Sequence, residues 1–295
     1  MTAGVRFLGT VVLATAGAMA GTLASAAPLS LETYNPGAAS MFPVSSEIIS
    51  GAHDAVLVDA QFQRNDAQAL IERLRASGKR LTTVYVSHSD PDYYFGLDVI
   101  HAAFPEARIV ATAPTVAAIR LLKDRKKAFW GPLLKDNAPR DLLVPEVLQG
   151  DCITLEGQEL QVIGLDGPTP DRTFVWIPSL KAVVGGAVLF SGTHVWVADT
   201  PTPAALTHWQ ETLQRLTALQ PERVVPGHCR GQMPDGMGAV TFTATYLATF
   251  QKAAASAGDA AKLIAAMEQA YPGLAESDWL ALGAKVFKGE AAWPQ

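Results

Sequence analysis

The sequence predicts an α/β (α+β) domain in which two sheets pack face to face and helices cover both outer faces. Three observations predict it. Strand–helix units occur in both halves of the chain. A run of short strands lies between them. Apolar spacing alternates between the period of a strand and the period of a helix. Taking the elements in order, "SEIIS" (46–50) and "DAVLVDA" (54–60) read as strands around a turn at Gly51–His53. "DAQALIERLRASGK" puts Leu70, Ile71 and Leu74 on one helical face, with Asp66 as the expected N-cap and Gly78 as the stop. "LTTVYV" (81–86) is β-branched and reads as a buried strand. "FGLDVIHAAF" reads as helix, "ARIVAT" as strand, and "PTVAAIRLLKDRKKAF" as a helix with Pro114 in its first turn. "CITLEG", "ELQVIGL", "TFVWIP" and "KAVVGG" are short strands with turns between them. The helix "TPAALTHWQETLQRLTAL" follows, with Thr202 as cap, then the strand "ERVVP", the turn "GHCRG" and two or three Ala-rich helices from about residue 240.

The chain has 295 residues. Its first stretch carries Arg6, an apolar run from Leu8 to Ala20 and then Ala24-Ser25-Ala26, the pattern of a secretory leader with a signal-peptidase site. Residues 1–26 are therefore expected to be removed, leaving 27–295 as a single domain in the periplasm or outside the cell, with no membrane contact after cleavage. The run is short and rich in Ala and Gly for a spanning helix, which needs about 20 strongly apolar residues. A net charge of −5 argues against a nucleic-acid partner. Cys152 and Cys229 are too few for a disulfide scaffold, though one bridge is allowed. The expected partner is a small-molecule substrate, and the expected state a monomer or homodimer.

The stretch "SHSDPDYYFG" (87–96) carries the chemistry. It joins the strand 81–86 to a helix and sets His88, Asp90 and Asp92 at alternate positions, roughly on one side of the loop. An imidazole and two carboxylates suit a divalent cation such as zinc, iron or manganese. Pro91 stiffens the loop, and Gly96 permits close packing. The competing reading is a polar turn in which Asp92 caps the next helix. His228, in "VVPGHC", also follows directly on a strand, so both loops are expected along one sheet edge, where ligand sites collect in such folds.

"TTVYVSHSDPDYYFG" resembles the signature loop of the metallo-β-lactamase fold superfamily, His-x-His-x-Asp-His. Four further stretches resemble that family's segments in the same order: "AVLVDA" (55–60), "GPTPDRTFVWIP" (167–178), "KAVVGGA" (181–187) and "VVPGHC" (224–229). The resemblance spans about residues 45 to 230 and implies an αββα sandwich with its site at one sheet edge. It also exposes departures. His88, Asp92 and His228 match metal-binding positions. Asp90 and Tyr93 stand where the family has histidines, Pro168 where it has the histidine of Gly-His-Thr-Pro-Asp, and Ala187 where it has a bridging Asp or Cys.

Proline and alanine side chains cannot bind metal, and tyrosine binds poorly until it loses its proton near pH 10. The resemblance thus implies at most one divalent metal, zinc first and iron or manganese next, held by His88, Asp90, Asp92 and His228. The leading expectation is a mononuclear metal-dependent hydrolase of an ester, lactone or amide. Asp92, Tyr93 and His194 are the expected catalytic and pocket residues; His194 lies seven residues after Ala187, in a loop expected at the same edge. Activity on β-lactams is not expected, because the positions held by Pro168 and Ala187 are lost. The alternative is a non-catalytic binding protein on a scaffold that has lost its metal site. Asp166 is a candidate substitute ligand and Asp171 a structural aspartate. Tyr94 and Phe95 read as core, and Asp59 as a hydrogen-bonding anchor. The basic run 121–140, with Phe129 and Trp130, reads as a solvated helix face or as a lid carrying aromatics.

Overall fold

A computed structural model describes residues 1, 2, 4, 27–167 and 169–293, so most of the expected leader, Pro168 and the last two residues lie outside the described residues. The first sheet contains β1 (Ser30–Tyr34), β2 (Ser46–Ser50), β3 (Asp54–Val58), β4 (Arg80–Val86), β5 (Arg108–Ala111) and β6 (Glu146–Val147) in that order. Its first two pairings are antiparallel and the rest parallel. The second holds β7 (Cys152–Leu155), β8 (Gln158–Ile163), β9 (Phe174–Ile177) and β10 (Ala182–Val184). The short β12 (Arg223–Val224) runs parallel to β10 at its edge. A two-stranded ladder of β11 (Phe190–Ser191) and β13 (His228–Cys229) stands apart.

The alternation within each strand decides what packs where. In β4, Val84 and Val86 face outward onto Leu70, Leu74, Val116 and Ile119 of α1 (Arg64–Ser77) and α4 (Ala113–Leu134). Tyr85 between them faces the other sheet, joining Val56, Val58, Val162, Val175 and Val184 in the core between the sheets. In β10, Val183 turns outward onto Leu206, Trp209 and Leu213 of α5 (Pro203–Ala218). Along this outer side also lie α6 (Gly238–Ser256), α7 (Ala260–Ala270) and α8 (Ser277–Phe287). This is the αββα sandwich.

The caps follow the sequence reading with one correction. Thr112 and Thr202 cap α4 and α5 by accepting from Thr115 N and Ala205 N, and Gly78 ends α1 with φ 66°. The N-cap of α1 is Gln63 rather than Asp66. The helix begins one turn earlier, and the Asp66 carboxyl instead accepts from the Tyr34 hydroxyl at 3.4 Å. The helix predicted to end at Phe129 runs on to Leu134, carrying Trp130 with it. The "FGLDVIHAAF" helix is α3 (Leu97–Ala103), preceded by the single turn α2 (Pro91–Tyr94). Cys152 and Cys229 are both free.

Candidate functional site

The loops after β3, β4 and β10 meet at one end of the sandwich. Asp59, fully buried and in the left-handed region at φ 64°, ties them together. Its carboxylate accepts from Ser87 N at 2.8 Å and Ser87 Oγ at 2.6 Å, and Ser87 Oγ accepts from Gly186 N at 2.7 Å. Burial pushes the Asp59 carboxyl up to about 7, against the pull of the Ser87 hydrogen bonds. Gly186 has φ 81°, and a Cβ there would lie 2.1 Å from Thr173 O. At Gly227 a Cβ would lie 2.3 Å from Gly186 O and 3.0 Å from the Tyr93 hydroxyl. The crossing of these loops therefore requires glycine at both places.

His88, Asp90, Asp92 and His228 all reach this end, but as two pairs. His228 Nε2 lies 3.2 Å from Asp92 Oδ2. His88 Nδ1 lies 3.5 Å from Asp90 Oδ2, yet the same nitrogen accepts from Asp90 N at 3.2 Å. A ring nitrogen that accepts carries no proton, so this contact is not an ion pair. Burial lowers the His88 pKa and favours that neutral ring. Tyr93 stands between the two pairs. Its fully buried ring meets both imidazoles edge to face, with centroids 5.4 Å from His88 and 5.7 Å from His228. Its hydroxyl has no partner among the described residues, and burial holds its pKa well above the usual value.

The free carboxylate oxygen of Asp90 is also taken. Lys126, 36 residues further along the chain on α4, donates from Nζ to Asp90 Oδ1 at 2.6 Å and to Ser89 O at 3.1 Å. Burial would raise the Asp90 pKa, but Lys126 and the charges around it more than offset this and hold the carboxyl well below the usual range. A second cation lies behind the site. Arg172 is buried, donates to Ala187 O at 2.7 Å and Thr200 Oγ1 at 2.8 Å, and stands 3.9 Å over the Trp209 ring.

The residues present do not fit the metal expected from the sequence. Among the described residues no three His, Cys, Asp or Glu side chains are grouped to hold a metal ion. The Tyr93 ring packs against both imidazoles, and the Lys126 ammonium occupies an Asp90 oxygen.

Above the two pairs opens a cavity of about 520 Å³. Asp90, Asp92, His228 and Lys126 line its polar side, and its walls are largely aromatic: Phe42, Trp130, Phe190, Trp196, Trp279 and Trp293. These rings brace each other edge to face, Phe42 on Trp130 at 5.1 Å, Trp196 on Trp279 at 6.0 Å and Trp196 on Trp293 at 5.1 Å. Phe190 stacks on His228 at 5.1 Å and fixes the plane of that imidazole. Asp199 accepts from the indole nitrogens of Trp196 at 2.5 Å and Trp293 at 2.8 Å. Burial and the nearby Asp90 raise its carboxyl to about 7.

His194, expected at this edge, lies outside the cavity; its Nδ1 contacts the Tyr246 hydroxyl at 2.9 Å beneath α6. Asp166 is exposed and paired with Arg215 at 2.7 Å, and Asp171 is exposed. Ala187 lines the cavity and Tyr93 lies beneath it. Sequence reasoning missed Lys126, Arg172, Asp199 and the downstream tryptophans. Only Lys126 carried a signal, as one residue of the basic run.

A family model described as the metallo-beta-lactamase superfamily matches residues 41–228. Among solved structures, a metallo-beta-lactamase from Pontibacter korlensis is similar with a TM-score of 0.52 at 19% identity, over 75% of this chain and 93% of that one. The DIM-1 metallo-beta-lactamase exposed to ceftazidime gives 0.52 at 20% identity, over 75% of this chain and 93% of that one. The metallo-beta-lactamase IND-7 gives 0.50 at 20% identity, over 75% and 94%. At such identities the likeness is one of fold. No curated protein matches the chain.

Proposed function

Because the chain belongs to the metallo-beta-lactamase superfamily, we propose that it is a secreted small-molecule-binding protein that keeps the family's cleft and has remade it as an aromatic pocket without a metal. Members of the superfamily are generally hydrolytic, and its usual divalent metal led the sequence reading to a mononuclear hydrolase. The observation that favours the binding protein is the pairing of the expected ligands, with Lys126 held 2.6 Å from Asp90. A metal ion held by Asp90 would have to displace that ammonium.

The pocket's chemistry supports an apolar, ring-containing ligand. Rigid aromatic walls bury flat apolar surface at little cost in side-chain entropy. Asp92 and His228 on the polar side offer an acceptor and an imidazole to one polar group of the ligand, which fixes its orientation.

One observation favours a second reading, a hydrolase. The Asp92–His228 contact at 3.2 Å engages Nε2 and leaves the buried His228 Nδ1 without a partner among the described residues, a nitrogen able to take up a proton. The deciding experiment measures the metal content of the purified protein after exposure to zinc, iron and manganese. It also titrates the protein with anilinonaphthalene sulfonate, an aromatic fluorophore carrying one sulfonate, using tryptophan quenching. Metal-free protein that binds the fluorophore, with binding weakened in Trp196→Leu, is expected. About one equivalent of metal, lost in His88→Ala and in His228→Ala, would overturn the reading and restore the metallo-hydrolase. Ester or lactone turnover by metal-free protein, lost in His228→Ala, would establish the second reading.

A further inference from the structure

Helix α4 forms one wall of the pocket, where Leu122, Arg125, Lys126, Phe129 and Trp130 all line it. At about 100° per residue these five fall within an arc of about 140°, so one face of the helix looks into the cavity. The two borders of that face differ. Lys126 and Trp130 lie along one border, both partly buried, and the Lys126 ammonium reaches Asp90 on the floor. Arg125 and Phe129 lie along the other border, and both are exposed. Arg125 therefore stands at the rim, one helical turn from an aromatic ring.

The charges that line the cavity are matched except for this one. Asp90 is paired with Lys126, and Asp92 lies 3.2 Å from His228. The neighbouring cations on α4 also have acceptors: Lys123 donates to Asp124, and Lys127 to Arg140 O. The Arg125 guanidinium has no ion-pair or hydrogen-bond partner among the described residues. On an open surface, water satisfies such a group. Here it borders a cavity with largely aromatic walls, and a ligand that fills the cavity covers part of it. A covered guanidinium needs acceptors, and its planar fork matches a carboxylate or sulfonate at two points. The floor has the opposite preference, because the carboxylates of Asp90 and Asp92 accept hydrogen bonds and repel an anion.

We propose that the ligand is an apolar, ring-containing acid, held with its anionic group on Arg125 at the rim and its rings against the aromatic walls. The inner end then carries the neutral polar group that meets Asp92 and His228. This deepens the pocket reading above and rests on it.

The test uses two probes with the same rings. Anilinonaphthalene sulfonate carries the anion, and N-phenyl-1-naphthylamine lacks it. Tryptophan quenching gives the ratio of their affinities, sulfonate over neutral, for the purified wild type, Arg125→Gln and Arg120→Gln. Arg120 is exposed on the far side of α4 and does not line the cavity, so its variant makes the same charge change outside the pocket. Arg125→Gln should lower the ratio about fivefold, the upper end for a part-exposed ion pair. Arg120→Gln should keep the ratio within about twofold of the wild type, and added salt should lower the wild-type ratio. An unchanged ratio in Arg125→Gln overturns the inference. So does an equal fall in Arg120→Gln, which would make the effect one of overall charge. If that happens while Trp196→Leu still weakens both probes, only the acid is lost and the pocket reading stands. Binding of neither probe overturns both.

Discussion

Lys126→Met tests the reading that an ammonium occupies the centre of the site. The substitution keeps the side chain's length and removes its charge. At 2.6 Å and an effective dielectric of about 20, the gross attraction to Asp90 is roughly 6 kcal/mol. Much of this is offset by the cost of taking both charges out of water. The side chains keep 15% and 22% of their exposure, so the pair is largely but not wholly desolvated. Leaving Asp90 unpaired should then cost about 3 kcal/mol, the lower end for a buried pair. In a domain of this size that lowers the melting temperature by roughly 6–9 °C. The assay is urea denaturation of the wild type, Lys126→Met, Asp90→Asn and the double variant. The double variant should return to within about 1 kcal/mol of the wild type, because the cycle isolates the pair. Zinc should not stabilise the wild type. Two results would refute the reasoning: Lys126→Met as stable as the wild type, or zinc raising the wild-type melting temperature by several degrees.

Three further predictions concern the frame around the site. The buried Asp59 carboxyl, at about 7 in the folded protein, holds its proton more tightly than in the unfolded chain. Stability should therefore fall as pH rises from about 4 to about 7, and Asp59→Asn should flatten that slope; equal slopes would refute the assignment. Glu156 accepts from Ala52 N, His53 N and Asp54 N, and these bonds lower its pKa to about 2. Its contribution is present above about pH 4.5 and lost as pH falls through about 2, so the stability gap to Glu156→Gln should close across that window in acid denaturation. A Cβ at Gly96 would lie 2.0 Å from Ala60 O and 2.7 Å from Ala67 Cβ. Gly96→Ala should cost about 3 kcal/mol or more by displacing the loop that carries His88 and Asp92, and a stable variant by thermal denaturation would contradict this.

Much of the fold was legible in the sequence because it is set by local pattern. The two-residue period of Val84, Tyr85 and Val86 sorts side chains between two cores, and a helix carries its own period and caps. Five weak motifs in the right order then specify which sandwich is formed. The resemblance read from the sequence also implied that metal-binding positions of the family differ here, at Asp90, Tyr93, Pro168 and Ala187. What meets those side chains was decided only by tertiary structure. Asp90 meets an ammonium that lies 36 residues away. The aromatic wall is completed by Trp279 on α8 and by Trp293 beyond it, far outside the matched segment. Periodicity says which face of a helix is buried; it does not say against what. That choice belongs to the packing of distant elements, and here it set the four residues expected to bind a metal in two pairs beneath an aromatic pocket.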